Sequence, residues 1–500
     1  MQKLSWIFFW LMLWAKAFSQ PSMTTGNTYP KPLSYGPFPS PAQLHWQSLQ
    51  MIAIVHFGLN TFTNQEWGYG DVPPDSFHPT QFDPDQIVRA AKAAGIKGII
   101  LVAKHHDGFC LWPTRTTSYS VAASAWRQGK GDVVKAFAEA CRKAGLAFGL
   151  YCSPWDRHSA YYGQYRYVQL YRQQWEELAS QYGPLFECWF DGANGGTGYY
   201  GGARENRRID RSRYYGWDTT WTLIRRLQPG AVIFSDVGPD VRWVGNEKGY
   251  AADSTWETFT PQSPDDRPPA PGHVQTAYSP FGTKDGRYWM PAECDVPLRP
   301  GWFYHPEEQG KQKTPYQLWE IYIHSVGRGA VLNLGLAPTP QGKLDTQDVR
   351  ILDTFGKWLR QAFAHNLAEK ASLQLNAPAD LIPSPSMHAL TDRNDTTDGI
   401  VADTLQHLCF TLQWPTPQAF TLLQLKEDIR FGQHIQDATI EAHTTEGWKQ
   451  ITKLYGVGAN RIVELPEPLT TAALRISIHT KAGLALSEIG VYNFRPPVNW

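Results

Sequence analysis

Four segments of this chain each read as a buried strand that ends in side chains able to do chemistry. They are Met51–Asn60 (MIAIVHFGLN), Gly98–Asp107 (GIILVAKHHD), Leu146–Asp156 (LAFGLYCSPWD) and Leu185–Asn194 (LFECWFDGAN). Each begins as an apolar, β-branched or aromatic run and hands over to His, Tyr, Trp or Asp. In a parallel (β/α) barrel the carboxyl ends of the strands converge on one mouth. His56, His105, His106, Tyr151, Trp189 and Asp191, far apart in sequence, would then meet. Rings suit the C–H faces of a sugar, and imidazoles, a phenol and a carboxylate suit its hydroxyls.

The elements between these segments support a barrel. Asp83-Pro84 caps a helix with Ile87, Ala90, Ala91 and Ala94 on one face, stopped by Gly95. Asp132 caps a second helix over Val133–Ala144, with Val134, Phe137, Ala138 and Cys141 inward and Gly145 as its stop. Further helices are expected over Tyr165–Gln181 and Tyr214–Leu227, then a fifth strand over Ala231–Ser235. The later elements are fainter: Tyr288–Glu293, Gly329–Leu336 and a closing helix over Thr346–Ala364. Strands alternating with helices predict an α/β fold with a (β/α)8-like parallel barrel. Long loops rich in Gly, Pro and Trp, at 195–213 and 259–287, are placed to shape a cleft at its mouth.

After about Ala371 helical periodicity gives way to short alternating segments: Phe410–Leu412, Leu422–Lys426, Ala438–His443, Trp448–Lys453, Ile462–Leu465, Leu474–Ile478 and Glu488–Asn493. Their spacing predicts an antiparallel β-sandwich. The expected partition is a catalytic barrel over 45–365, a linker over 366–375 and the sandwich over 376–500. At the start, Lys3, the apolar Leu4–Trp14 and the small-x-small Ala17-Phe18-Ser19 predict a signal peptide over 1–19. An extended lead-in over 20–44 follows. The apolar run is shorter than the roughly 20 residues a bilayer needs, so an exported protein with no membrane span after cleavage is expected.

Composition narrows the class. Five hundred residues suit a barrel plus one module, and a formal net charge of zero gives no argument for nucleic acid. The 21 Trp and 23 Tyr largely build a core and point to carbohydrate only beside the polar groups above. Six cysteines are scattered without metal spacing, and buried free thiols are expected. The His105-His106 pair lacks a clear third ligand, so no metal and no cofactor is expected. GGTGYYGG at Gly195–Gly202 has no phosphate-loop lysine.

Residues 45–365 resemble a retaining α-L-fucosidase of glycoside hydrolase family 29. The stretches that carry the resemblance are HFGLNTFTNQEWGYG (His56–Gly70), AKHHDGFCLWPT (Ala103–Thr114), YCSPWDRH (Tyr151–His158), WFDGANG (Trp189–Gly195), GPDVRWVGNEKG (Gly238–Gly249) and PAECDVPLRPGWFYH (Pro291–His305). The last two, with Phe190, resemble the subfamily acting on α-1,3/4-linked fucose. The tail resembles the discoidin-like, galactose-binding-like module appended to such enzymes. The resemblance implies Asp191 as nucleophile and Glu247 as acid/base; the residues themselves offer Glu293, ending a strand-like segment four residues after Trp289, as rival and Glu257 as a weaker third. Retention needs two carboxyl groups about 5–5.5 Å apart; loop residues have no fixed period that could choose between them. His56, Glu66, Trp67, His105, His106, Tyr151 and Trp189 match the family's fucose pocket. Arg242, Trp289 and Glu293 are expected to contact substrate too, and Trp243, Trp289 and Trp302 to offer a second subsite. His78, His158 and His305 read as ordinary core histidines. The partner implied is a fucosylated, Lewis-type glycan; a non-catalytic sugar-binding protein on a degenerate barrel is the alternative. Every catalytic candidate precedes Leu336, so the sandwich is expected to be dispensable for chemistry.

Overall fold

A computed structural model describes residues 36–376, 387–394, 400–402 and 405–498. The expected signal peptide lies outside them. Eight parallel strands close a barrel: β1 (Met51–Val55), β2 (Gly98–Lys104), β3 (Ala147–Cys152), β4 (Glu187–Trp189), β5 (Val232–Ser235), β6 (Val241–Trp243), β7 (Ala292–Pro297) and β8 (Val331–Leu336). β8 returns beside β1, with Met51 opposite Leu332, and closes the ring.

Side chains alternate along the strands, and the two faces build different cores. Ile52, Ile54, Ile100, Val102, Tyr151, Trp189, Val232, Phe234, Val241 and Val331 share one cluster inside the barrel. Met51, Ala53, Val55, Ile99, Leu101, Leu150, Cys188 and Ile233 join the outer cluster against the helices. Those helices include α2 (Pro84–Ala93), α3 (Val133–Ala144), α4 (Tyr165–Gln181), α5 (Trp217–Leu227), α6 (Pro315–His324) and α7 (Thr346–Ala362). Asp83 and Asp132 cap α2 and α3 by accepting from Gln86 N and Lys135 N.

The expected extended lead-in is in part a helix. α1 (Pro41–Leu49) begins with Ser40 and Gln43 in a reciprocal capping box. Its Trp46 is fully buried in the inner cluster and donates to Glu187 Oε2 at 2.8 Å, at the amino-terminal end of β4. The helix thus plugs the end of the barrel opposite the mouth.

Two strand assignments shift. β6 lies in a stretch expected to be loop, so Glu247 follows the sixth barrel strand and not the fifth. The expected strand Tyr288–Glu293 is two elements. Tyr288–Trp289 pairs antiparallel with Thr258–Phe259 outside the barrel, and β7 starts at Ala292.

The C-terminal domain is antiparallel: β9 (Ser372–Asn376), β10 (Ile400–Ala402), β11 (His407–Glu427), β12 (Ile435–Thr444), β13 (Gly447–Tyr455), β14 (Arg461–Thr480) and β15 (Leu484–Tyr492). β9 pairs with β11, so the sheet already includes residues expected to be linker. β11 and β14 are long strands that pair along most of their length, with register shifts between Gln413 and Gln418 and between Phe420 and Leu422. Leu408, Phe410, Leu412, Leu423 and Leu425 of β11 enter one core with Ile440, Ile476 and Val491. All six cysteines are free; five are buried and Cys409 is half-buried.

Candidate active site

The mouth of the barrel holds a pocket of about 600 Å³. Its walls bring together His56, Glu66, Trp67, His105, His106, Tyr151, Trp189, Asp191 and Glu247. Each enters from the carboxyl end of a strand or the loop that follows it. His56 follows β1, and Tyr151 and Trp189 are inward residues of β3 and β4, with ring centroids 5.0 Å apart. Two adjacent histidines reach the same mouth because the register of β2 slips between Val102 and Lys104. Strict alternation ends there, and the His105 and His106 rings lie 4.1 Å apart.

Asp191 stands two residues beyond the end of β4. Tyr151 Oη donates to its Oδ2 at 2.9 Å, and Ala193 N donates to its Oδ1 at 2.6 Å. Burial raises its pKa above the ordinary carboxylate value; the two donors hold it down. His106 Nε2 lies 3.7 Å from Oδ2. Burial lowers the pKa of His56 to about 3, and His106 adds to the effect. Burial, then the Arg157 and Lys104 charges, lower that of His106 to about 3. Burial and the neighbouring histidines push His105 well below its usual value. The three imidazoles are therefore neutral near pH 7 and can each donate or accept one hydrogen bond.

Glu247 faces the same pocket from the loop after β6. Gly245 makes the turn that presents it, with φ 87°, where a Cβ would meet Thr276 O at 2.8 Å. Burial raises the Glu247 pKa; a hydrogen bond from the Trp302 side chain lowers it, and the charges of Asp191 and Glu66 raise it. Burial favours the protonated form of both carboxyls; two donors on Asp191 work against it there, while neighbouring carboxylates add to it at Glu247, a difference of the kind that separates a nucleophile from an acid.

Glu66 lines the pocket, but its carboxylate is already engaged. It accepts from Trp302 N at 2.6 Å, Phe303 N at 3.2 Å and His305 Nε2 at 2.9 Å. It ties the loop carrying Trp67 to the loop carrying Trp302. His305 is thus a pocket residue and not an isolated core histidine. His78 and His158 are different: each ring bonds a backbone carbonyl, Ser76 O and Gly70 O.

Four expected contacts lie elsewhere. Glu293 is the second residue of β7, fully buried beneath the pocket floor, where it accepts from Trp189 Nε1 and Asn333 Nδ2, both at 2.8 Å. Arg242 is fully buried and donates to the carbonyls of Ser279, Met290 and Trp256. It fastens loops and does not reach the pocket. Trp289 is buried with its Nε1 on Gln47 Oε1 of α1. Glu257 accepts from Ala459 N at 3.2 Å, between barrel and C-terminal domain. Of the three tryptophans expected at a second subsite, Trp243 and Trp302 line the pocket.

Asp236 and Asp295 also line the pocket and escaped the sequence reading. Asp236 follows β5 and accepts from Gly272 N; burial raises its pKa to about 7. Asp295 is the inward residue two beyond Glu293, and its carboxyl is pushed well up by burial and by Glu293. Its alternation with Glu293 in AECDVP was the available signal. Among the described residues no group of three or more His, Cys, Asp or Glu could hold a metal ion.

The chain was compared with known proteins. Residues 34–362 match the alpha-L-fucosidase family model. Alpha-L-fucosidase 1 of Arabidopsis thaliana is 36% identical over 483 residues, 95% of this chain and 91% of the plant protein. A glycoside hydrolase 29 family member from an unknown rumen bacterium superposes with a TM-score of 0.83 at 37% identity, covering 93% of this chain and 79% of that one. A Ruminococcus gnavus GH29 fucosidase in complex with fucose superposes with a TM-score of 0.81 at 27% identity, covering 94% and 97%. With an eight-stranded barrel whose mouth gathers Asp191 and Glu247 among its carboxyl groups, three neutral imidazoles and an aromatic wall, the chain belongs to the alpha-L-fucosidase family and is a retaining glycoside hydrolase of family 29.

Proposed function

We propose that the enzyme removes α-1,3/4-linked fucose from branched, Lewis-type glycans, with Asp191 as nucleophile and Glu247 as acid/base. The observation that carries the reading is that Asp191 and Glu247 line one pocket, Asp191 with two hydrogen-bond donors on its carboxylate and Glu247 with the charges of Asp191 and Glu66 adding to the rise that burial gives it. In the first step the Asp191 carboxylate attacks C1 of fucose, the glycosidic C–O bond breaks, and the Glu247 proton goes to the departing oxygen. In the second, Glu247 takes a proton from water, the hydroxide attacks C1, and Asp191 leaves. The Tyr151 hydroxyl and Ala193 N–H stabilise Asp191 whenever it carries charge. The imidazoles of His56, His105 and His106 take ring hydroxyls, and Trp67 and Trp189 offer apolar faces.

Linkage preference rests on the stretches Gly238–Gly249 and Pro291–His305. They contribute Trp243, Glu247, Asp295, Trp302 and His305 to the pocket lining. Contacts to a neighbouring galactose there would be used to orient the scissile bond, so they raise turnover as well as affinity. We also infer export, from the charged and apolar pattern of residues 1–19. The deciding experiment measures free fucose from a Lewis trisaccharide, a 2-linked fucoside and nitrophenyl fucoside. The trisaccharide should be at least tenfold better in kcat/KM than either; equal values on all three would remove the linkage assignment.

A further inference from the structure

A second cleft, of about 770 Å³ and larger than the barrel pocket, runs between α6 and residues of β13 and β14. Arg328 and Arg461 meet across the domain boundary here through a backbone bridge. Of the charged side chains lining the cleft, four are cationic (Arg328, Lys453, Arg461 and Arg495) and two acidic (Asp253 and Glu464).

The acids do not neutralise the cations evenly. Arg328 pairs with Asp253, and its other guanidinium nitrogen donates to Ala251 O. Lys453 pairs with Asp437 at 3.5 Å. Arg495 caps the carbonyls of Leu465 and Pro466. Glu464 accepts from Trp319 Nε1 at 3.2 Å. Arg461 is left over. Its side chain makes no hydrogen bond or ion pair with any described residue, and its Nε is buried without a partner, though the residue is only 8% exposed. Burial and the Arg328 charge lower its pKa to about 10, so it stays cationic at neutral pH. The Asp253 charge offsets this in part, but a buried guanidinium nitrogen with no acceptor is costly. It persists in folds where something else supplies the acceptor, and here it lines a cleft open to solvent.

The rest of the cleft says what kind of acceptor. Tyr455 is 53% exposed on β13 with Lys453 over its ring, and Tyr316 begins the opposite wall on α6. An exposed phenol beside cations, with a half-buried one across from it, suits a pyranose ring that carries an oxyanion. We propose that this cleft binds an acidic sugar unit, a pyranose bearing a carboxylate or a sulfate ester, with Arg461 receiving the oxyanion and Tyr455 the ring. Guanidinium matches either group in a bidentate fork. The site lies on the seam between the domains, away from the barrel mouth, and none of its residues lines the catalytic pocket.

The test is calorimetric titration of the intact protein with methyl glucuronide, galactose 6-sulfate, methyl galactoside and sodium sulfate, with saturating L-fucose present to fill the barrel pocket. At least one acidic sugar should bind. Which one does identifies carboxylate or sulfate as the preferred group. Arg461→Met should weaken that binding at least tenfold, keep turnover of a small fucoside, and unfold at the same or a higher temperature than the parent. Tyr455→Ala, at an exposed site, should weaken it several-fold and serves if the Met variant does not fold. Binding of neither acidic sugar would overturn the proposal. So would equal affinity in parent and Arg461→Met, equal binding of methyl galactoside, or sodium sulfate binding as tightly as the sulfated sugar and indifferent to Tyr455→Ala.

Discussion

His106 presents a lone pair, not a proton, to Asp191. Ser153 Oγ contacts both His106 Nδ1 at 2.7 Å and Trp155 O at 2.9 Å. A hydroxyl has one proton, and the Trp155 carbonyl can only accept. Both contacts are satisfied only if Ser153 donates to Trp155 and accepts from His106 Nδ1–H. Nε2 of the neutral ring is then an acceptor, 3.7 Å from Asp191 Oδ2. Two acceptors side by side invite a donor, and a sugar hydroxyl is one. His106→Phe should lower kcat/KM by about 10–100-fold, the loss of one buried hydrogen bond at about 1.5–3 kcal/mol. His106→Gln, which can still accept, should lose less. Equal losses in the two variants would mean that only the shape of the ring matters.

Asp191→Gly should lose nearly all turnover while keeping its fold and binding of a fucosylated substrate, because only the attacking group is removed. Turnover and substrate affinity, measured together, check this. Near-parental turnover would return Asp191 to a binding role.

Glu247 and Glu293 are separated by the same kind of experiment. Glu247→Ala should be crippled on natural oligosaccharides, milder on a fucosyl fluoride donor, and rescued by azide, since a good leaving group needs little protonation. Glu293→Ala should show no azide rescue. It should instead unfold at lower temperature, because Trp189 Nε1 and Asn333 Nδ2 lose their acceptor, at about 1–3 kcal/mol per orphaned group. Azide rescue of Glu293→Ala alone would exchange the two roles.

The confusion between these two glutamates shows what the sequence could and could not carry. The first four strands were readable because each is an apolar run that ends in polar residues. β6 is three residues long and sits between Pro239 and Gly245, too short for any period to register. The aromatic run Tyr288-Trp289-Met290 looked like a strand ending at Glu293, whereas the barrel strand begins at Ala292 and sends Asp295 to the pocket. β11 and β14 were each read as two strands because Pro415 and Pro417, and Pro466 and Pro468, resemble turns. In the fold the chain passes through both stretches as continuous strands, β11 with register shifts. Partners such as the Glu66 carboxylate and the Trp302 backbone are 236 residues apart and have no local signature.

The pH dependence follows from Glu247. Its first-step role needs the protonated form, so activity falls as pH rises through its pKa, which burial holds above the ordinary value. The Trp302 hydrogen bond favours the charged form and works against that rise. Trp302→Phe removes it, so the alkaline limb of the kcat/KM profile should move to higher pH. A shift to lower pH would show that Trp302 acts on Glu247 in some other way, or that another group sets this limb.

The barrel and the C-terminal domain share more than a linker, which changes what truncation should do. Leu422, Ile462 and Tyr492 of the C-terminal domain belong to the outer cluster of the barrel. Gln433 accepts from Glu257 N at 2.8 Å and donates to Thr255 O at 3.0 Å, and Asn460 Nδ2 donates to Val326 O at 3.0 Å. Among the described residues, none of the C-terminal domain lines the catalytic pocket. The expected role of the domain is therefore support for the barrel wall, dispensable for chemistry and not for stability. Cutting after Asn376 should leave a barrel that aggregates or unfolds at markedly lower temperature, because buried polar groups and an apolar seam become exposed together. The milder Gln433→Ala and Asn460→Ala should each cost about 1–3 kcal/mol in denaturant unfolding. Both should turn over a small trisaccharide within about threefold of the parent, or roughly 0.7 kcal/mol of barrier. A folded variant at either position with turnover reduced a hundredfold would mean that the seam is coupled to the mouth, and that the support acts on catalysis directly.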